Sequence, residues 1–142
     1  MDALAIRKIA ARPELCRNCQ ACMLGCSLYH DGKSSLAASR IAVDKDFETA
    51  IIAINVCRQC WEPDCIPACP TGAVRWQNGA VVIAEEECVQ CGACLDACPY
   101  DSIFLAGDRY LKCDFCQGRA EGPLCVELCP VDALAVAAAE ER

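Results

Sequence analysis

Short apolar runs bounded by turn residues recur along this chain, and their pattern predicts small β-hairpins. Residues 73–76 and residues 80–83 are two such runs, and they are separated by Gln77, Asn78 and Gly79. An Asn-Gly pair between two apolar runs is a strong hairpin signal. We therefore predict an antiparallel pair of strands at this place.

Similar patterns predict three further strand regions. Residues 40–43 lead through the polar residues 44–46 to the apolar residues 50–54, which predicts a second hairpin. Single strands are expected near residues 5–9 and residues 134–136.

Sixteen cysteines form four groups of four with none left over. The first and third groups have the spacing C-x2-C-x2-C-x3-C, with which ferredoxin-type proteins bind [4Fe-4S] clusters. Four groups therefore predict four clusters and a protein that carries electrons. In chain order the groups are Cys16, Cys19, Cys22 and Cys26; Cys57, Cys60, Cys65 and Cys69; Cys88, Cys91, Cys94 and Cys98; and Cys113, Cys116, Cys125 and Cys129.

The last cysteine of three groups is followed by proline and then by a short β-like segment. These prolines are Pro70, Pro99 and Pro130, whereas Ser27 follows the last cysteine of the first group. Proline has no N–H and a fixed φ, so it ends local helical geometry. We expect a short helix that contains or follows the last cysteine of each group.

The aromatic content is low for a conventional hydrophobic core. The 142 residues include three Phe, three Tyr and two Trp, so metal–ligand bonds should supply much of the stability, and the cluster-free chain should be largely unfolded. The formal charge is −7, and four oxidised clusters with their thiolates would lower it to about −15. Nucleic acid is therefore an unsuitable ligand, and a protein partner with a positive surface is favoured.

The sequence also bears on location and on other uses of the cysteines. Asp2, Arg7 and Lys8 interrupt the apolar run that a signal peptide needs, and no stretch of about 18 apolar residues could span a membrane. We expect a cytoplasmic protein, in which thiols stay reduced. Disulfides and zinc are the alternatives; zinc sites usually combine two separated Cys pairs, often with histidine, and His30 is the only histidine.

The second and fourth groups carry a resemblance to a known family. Residues 57–70 have the form C-x2-C-x4-C-x3-C-P, and residues 112–116 with residues 122–130 are similar to the family's last motif. The chain resembles the four-cluster iron–sulfur subunits that serve molybdenum and tungsten oxidoreductases, hydrogenase complexes and carbon monoxide dehydrogenase. Residues 26–32, with residues 39–41 behind them, look most like the small subunits of tungsten aldehyde oxidoreductase-type enzymes, including the related benzoyl-CoA reductases.

The resemblance implies an α+β fold with two ferredoxin-like lobes related by an approximate internal twofold, each holding two [4Fe-4S] clusters. The outer lobe would comprise residues 1–56 and 106–142, and the inner lobe residues 57–105. The last cysteine of each group would cross to the cluster of a partner group, although spacing alone also allows the first group to pair with the second and the third with the fourth. The implied ligand sets are Cys16, Cys19, Cys22 and Cys129; Cys113, Cys116, Cys125 and Cys26; Cys57, Cys60, Cys65 and Cys98; and Cys88, Cys91, Cys94 and Cys69.

The function implied by the resemblance is electron transfer by a subunit without catalytic residues. Its expected partner is a large catalytic oxidoreductase subunit, with a tungsten or molybdenum pterin enzyme favoured, and a flavin- or NAD-linked protein or a ferredoxin is a further electron partner. The alternatives are a subunit of a molybdenum oxidoreductase, hydrogenase or carbon monoxide dehydrogenase complex, and a freely diffusing polyferredoxin. Clusters near both ends would also let copies associate end to end.

Three titratable residues near the cysteines each allow two interpretations. His30 lies beside Asp31 and Gly32 and is expected to be a polar turn residue, although it could couple protons to a cluster. Lys112 and Arg58 flank cysteines, and their charges could either raise a reduction potential or be solvated.

Overall fold

The computed structural model describes residues 7–117 and 119–138. In this range the strands form four separate antiparallel pairs, β1–β8, β2–β3, β4–β5 and β6–β7. The strands are β1 (Arg7–Ala11), β2 (Ile41–Lys45), β3 (Ile52–Val56), β4 (Val74–Gln77), β5 (Ala80–Ile83), β6 (Phe104–Ala106), β7 (Arg109–Leu111) and β8 (Leu134–Ala138). The helices are α1 (Ala21–Asp31), α2 (Cys65–Ala68), α3 (Ala93–Ala97) and α4 (Leu124–Leu128), with single 3-10 turns at Pro13–Leu15, Leu36–Ala38 and Glu85–Glu87.

The two predicted hairpins are both present. In β4–β5, Val74 pairs with Ile83 across the turn. In β2–β3 the second strand begins two residues later than expected, because Ala50 still belongs to the turn. Its N–H donates to the carbonyl of Asp46 at 2.7 Å, and it holds a left-handed φ of 64°.

The first and last strands of the described chain pair with each other, so that Arg7 lies opposite Ala138. The predicted C-terminal strand is contained in β8. The predicted N-terminal strand overlaps β1 at residues 7–9, and its residues 5 and 6 lie outside the described part. This pairing joins the first and the last strand of the described residues.

The hairpin β6–β7 was not expected from the sequence. Each of its strands has three residues, and they are joined at Gly107, which has a φ of 65°. Runs this short carry too little alternation of apolar and polar positions to be recognised. The predicted boundary between the lobes, at residues 105 and 106, falls inside β6.

The helices do not follow the last cysteines, and that expectation is wrong for three groups. In α2, α3 and α4 the helix contains the third cysteine of its group and ends directly before the last one. A residue before proline is pushed into extended geometry, and ψ is 118° at Cys69 and 116° at Cys98 and Cys129. Since Ser27 replaces proline in the first group, α1 continues through Cys26 to Asp31.

The apolar side chains of the described residues form two clusters. One contains Ile9, Ile41, Val43, Val56 and Leu134. The other contains Val74, Val81 and Ile103, with Tyr110 packed against it. Buried cysteines belong to both clusters, so the cysteine loops form part of each core. The described helices are short, α1 being eleven residues, and none of them could cross a membrane.

Candidate metal centre

The fold assembles the cysteines into four sets, each of which takes one cysteine from another group. Three sets each line a cavity of their own. The remaining four cysteines form the fourth set. Burial raises the pKa of Cys125 in this set, and the nearby thiols of Cys113, Cys116 and Cys26 raise it further. We name them set I (Cys16, Cys19, Cys22, Cys129), set II (Cys26, Cys113, Cys116, Cys125), set III (Cys57, Cys60, Cys65, Cys98) and set IV (Cys69, Cys88, Cys91, Cys94). These are the groupings that the family resemblance implies.

Packing between helices produces the exchange of last cysteines. Helix α1 contacts α4, and Gly25 of α1 lies directly against the side chain of Leu128 in α4. Helix α1 contains Cys26, and α4 ends directly before Cys129; these are the two cysteines that the first and fourth groups exchange. Helices α2 and α3 contact each other in the same way, and their cysteines Cys65 and Cys94 share one apolar cluster.

The first cysteine of every group accepts a hydrogen bond from a backbone N–H two residues later. The N···Sγ distance is 3.4 Å in all four cases. The donors are left-handed, although none is glycine: Asn18 (φ 57°), Gln59 (φ 47°), Gln90 (φ 54°) and Phe115 (φ 60°). Donors aimed at sulfur stabilise the thiolate form, which is the form that binds metal.

The last cysteines also accept hydrogen bonds from the backbone. Ser102 donates to Sγ of Cys98 at 3.4 Å, and Ala133 to Sγ of Cys129 at 3.3 Å. The residues just before these donors are again left-handed. They are Asp101 (φ 53°) and Asp132 (φ 55°).

Cys26 obtains its donor differently, because no proline loop follows it. The N–H of Arg40 reaches its Sγ at 3.3 Å from the segment before β2. Burial raises the pKa of Cys26, but hydrogen bonds from His30 and Arg40 outweigh burial and lower the pKa overall. Cys69 behaves alike: burial raises its pKa, and nearby backbone N–H groups together with the Thr71 hydroxyl lower it to about 7.

The third cysteine of each group lies in a helix, buried in three groups and half-buried in the first, and burial is the largest influence on its pKa. Burial raises the pKa of Cys22 to about 11 and that of Cys65 to about 12, and it also raises the pKa of Cys94 and Cys125. A bound metal must displace these protons, so binding depends on pH and stabilises the folded chain.

His30 is not the turn residue that the sequence suggested. It lies inside α1, and its Nε2 is 2.8 Å from Oδ1 of Asp114 beside set II. Burial lowers the pKa of His30, but the hydrogen bonds with Asp114 and Cys26 raise it to about 9. The imidazole therefore ties α1 to the loop that carries the fourth group.

Successive sets are neighbours in the order I, II, III and IV. Cys22 of set I lies within electrostatic range of Cys125 of set II, and Cys113 of set II within range of Cys57 of set III. Sets III and IV meet where α2 packs on α3. The end sets hold the two exposed cysteines, Cys19 and Cys91, whereas all four cysteines of set II are buried.

Two polar residues lie buried where sets II and III meet. Gln59 is fully buried and donates from Nε2 to the carbonyl of Cys113 at 2.9 Å. Lys112 is also buried, and its ammonium donates to the same carbonyl at 2.8 Å. The sequence indicated Lys112 because it adjoins a cysteine, whereas nothing marked Gln59 apart from its place within a C-x2-C pair.

The donor sets fit iron–sulfur clusters. Each offers four soft thiolates and no other ligand type, and backbone N–H groups donate to the first sulfur of every group, an arrangement that suits cluster ligands. Within residues 7–117 and 119–138, no three Cys, His, Asp or Glu side chains converge on a position for a single metal ion. The thiols of sets I, III and IV surround cavities.

Comparison with known families agrees with this geometry. Residues 48–139 match the 4Fe-4S dicluster domain, and residues 13–29 match a 4Fe-4S binding domain. The chain therefore belongs to the 4Fe-4S dicluster family of ferredoxin-type iron–sulfur proteins.

Similar proteins share nearly the whole chain. The polyferredoxin-like subunit of the aliphatic sulfonate oxidoreductase of Pyrococcus furiosus is 41% identical over 125 residues, which cover 85% of this chain and 70% of the relative. The electron transport protein HydN of Escherichia coli is 30% identical over 152 residues, covering 90% and 86%. A chain of the benzoyl coenzyme A reductase complex BamBC superimposes with a TM-score of 0.57 at 27% identity, covering 93% and 76%. This protein is thus an electron-transfer iron–sulfur protein of the kind found as subunits of oxidoreductases.

Proposed function

We propose that this chain carries electrons through four [4Fe-4S] clusters, one held by each of sets I to IV, as the iron–sulfur subunit of a larger oxidoreductase. The observation that supports this most directly is the gathering of all sixteen thiols into four sets of four. Each bound cluster would supply one reversible one-electron step. Because every thiol then serves as a ligand, catalysis belongs to another chain.

The chain's own contribution is to hold the sets in a line and to give them different surroundings. Cys19 and Cys91 expose the end sets, where electrons would enter and leave. The buried thiols of set II keep water from the middle of the line, and the N–H donors stabilise negative charge on sulfur. Under this proposal the outer lobe, residues 1–56 and 106–142, holds sets I and II, and the inner lobe, residues 57–105, holds sets III and IV.

We propose a tungsten aldehyde oxidoreductase-type subunit as the catalytic partner. Two observations support this choice: the resemblance of residues 26–32 and 39–41 to the small subunits of such enzymes, and the likeness to a chain of the benzoyl coenzyme A reductase complex. A flavin- or NAD-linked protein or a ferredoxin would meet the opposite end. End-to-end association of copies and a cytoplasmic location complete the proposal.

Anaerobic native purification of the chain with its bound proteins, followed by elemental analysis, tests the proposal. We expect about sixteen irons and as many acid-labile sulfides per chain, four from each cubane. Tungsten in a co-purifying large subunit would support the aldehyde oxidoreductase-type partner. Molybdenum or nickel in the large subunit would instead identify the partner as another pterin enzyme, a hydrogenase or a carbon monoxide dehydrogenase.

Two results would contradict the proposal more deeply. Zinc in place of iron, without labile sulfide, would rule out electron transfer by this chain. Iron alone, with no large protein bound, would support the freely diffusing polyferredoxin instead. Light scattering of the purified chain, with and without its partner, would separately test end-to-end association, which a strictly monomeric chain would contradict.

A further inference from the structure

Lys112 is a buried cation at the junction of sets II and III. Only 4% of its surface is exposed, and its ammonium donates hydrogen bonds to the carbonyl oxygens of Val81 and Cys113. Its side chain also lines the cavity of set III. Because Cys113 belongs to set II, Lys112 touches the surroundings of both central sets.

Gln59 fixes this junction from the side of set III. Its backbone N–H donates to Sγ of Cys57 at 3.4 Å, and its Nε2 donates to the carbonyl of Cys113 at 2.9 Å. Its Oε1 accepts the N–H of Val81 at 2.7 Å. Gln59 and Lys112 therefore form hydrogen bonds with the same two residues, Val81 and Cys113. Each side chain thus helps to fix the backbone to which the other is bound.

A buried ammonium is costly unless negative charge lies close to it. None of the ion pairs between residues of the described chain involves Lys112, and both of its hydrogen bonds go to neutral carbonyls. Lys112 lines the set III cavity together with Cys57, Cys65 and Cys98, and its ammonium is bound to the carbonyl of Cys113 in set II. The thiolates of the two central sets are thus the negative charges that this cation faces.

We propose that the buried ammonium of Lys112 tunes the line of clusters by raising the reduction potentials of the clusters in sets II and III, so that an electron is stabilised at the centre. The inference rests on the proposed function. Each transfer takes one electron from the reduced cluster of a neighbouring set and adds one negative charge to the acceptor, while no bond breaks and no proton moves. A fixed cation in a water-poor surrounding stabilises that added charge strongly.

Three variants of the full chain test the inference. Lys112→Gln removes the charge but keeps a hydrogen-bond donor, and Lys112→Arg keeps the charge. Arg58→Gln is the matched control, since Arg58 adjoins Cys57 and lines the same cavity but is exposed, stacked 4.1 Å from the ring centre of Tyr100. Potentials are measured by dithionite titration followed by electron paramagnetic resonance.

We expect Lys112→Gln to lower the reduction equilibrium constant of at least one cluster at least tenfold, which is about 59 mV for a one-electron couple. Lys112→Arg should stay close to the wild type. Arg58→Gln should change the potentials much less, because water screens an exposed charge. A shift in Arg58→Gln as large as that in Lys112→Gln would overturn the inference, since burial would then not matter.

Iron content separates failure of this inference from failure of the proposed function. About sixteen irons with unchanged potentials in Lys112→Gln would overturn the inference alone, whereas a wild type without four cubanes would overturn the proposed function. If Lys112→Gln loses iron, Gln59→Glu carries the test, because it places a negative charge beside the Cys113 carbonyl to which the ammonium also donates. That variant should show lowered potentials, and unchanged potentials would refute the role of Lys112.

Discussion

The backbone N–H of Gln90 donates a hydrogen bond to Sγ of Cys88 at 3.4 Å, and it does so from a left-handed conformation with a φ of 54°. The side chain of Gln90 is exposed, so the position is defined by its backbone and not by packing. A left-handed conformation costs a residue other than glycine roughly 1 kcal/mol or more, and a β-branched residue suffers most. The contact therefore depends on what the backbone at this position can adopt.

Substitution at Gln90 should separate backbone strain from side-chain chemistry. We expect Gln90→Val to weaken set IV by about 1–3 kcal/mol, because valine resists positive φ. Gln90→Gly should bind iron as well as the wild type or better, since glycine adopts this conformation freely. The rate of iron release to a chelator in mild urea measures both. Equal rates for the two variants would show that the left-handed backbone does not govern the site.

The left-handed positions also show where prediction from sequence ends. The residues two places after each first cysteine are Asn18, Gln59, Gln90 and Phe115. They share a backbone conformation but not a single side-chain type, so their residue types do not reveal it. The β4–β5 hairpin was predictable by contrast, because Asn78 and Gly79 encode their turn locally.

Long-range packing accounts for most of what the sequence did not predict. The helix ends follow from a local rule, the restriction of a residue before proline, which applies to Cys69, Cys98 and Cys129. The meeting of Gln59 with Lys112 depends instead on two loops far apart in the chain, and neither loop signals the other. Spacing could therefore indicate the cysteine groups, but not the polar junction between sets II and III.

The close approach of α1 and α4 at Gly25 provides a second prediction. A Cβ on Gly25 would collide with Cδ1 of Leu128. We expect Gly25→Val to push the helices apart and to cost about 1–3 kcal/mol, as overpacking does. Because α1 and α4 position cysteines of sets I and II, iron should be lost from those sets first. Added Leu128→Ala should restore iron content by making room.

Electron paramagnetic resonance and iron analysis of the single and double variants check this prediction. The Leu128→Ala variant alone serves as the control, since Leu128 is 40% exposed and its truncation should cost little. Equal loss of iron from all four sets would contradict the expected division. Failure of the double variant to recover would show that the collision is not the cause.

Arg109 joins helix α1 to the turn at Glu85 and predicts a defined pH behaviour. It holds both carboxylate oxygens of Asp31 at 3.1 and 3.2 Å and donates from Nε to Glu85 at 2.8 Å. The hydrogen bonds from Arg109 lower the pKa of Asp31 below its ordinary 3.8. A carboxyl with a lowered folded pKa stabilises the fold above its unfolded pKa, and this contribution is lost as pH falls through the folded pKa.

The contribution of this pair should consequently be full and constant near neutral pH. We expect Asp31→Asn to cost about 1 kcal/mol or less, since the Arg109 side chain is 38% exposed. Arg109→Gln should cost a similar amount, and the double variant should lose less than the sum. Rates of cluster loss in urea at about pH 6 and about pH 8 measure these costs. Because the lowered pKa keeps Asp31 ionised at both pH values, each variant should show the same cost at pH 6 as at pH 8. A difference between the two would assign the effect to another group.

The assignment of Cys129 to set I gives the sharpest test of how the cysteine groups combine. Cys129→Ala should release the other thiols of set I to an alkylating reagent under anaerobic native conditions, because a cubane that loses one of four ligands dissociates more readily. All four thiols of set II should stay protected, and peptide mass spectrometry reports each cysteine. Cys26→Ala is the matched control: Cys26 is close in sequence to three thiols of set I but lies in set II, so it should expose set II and leave set I protected. Alkylation of set I in the Cys26→Ala variant would mean that each group binds its own cluster and that no cysteine crosses.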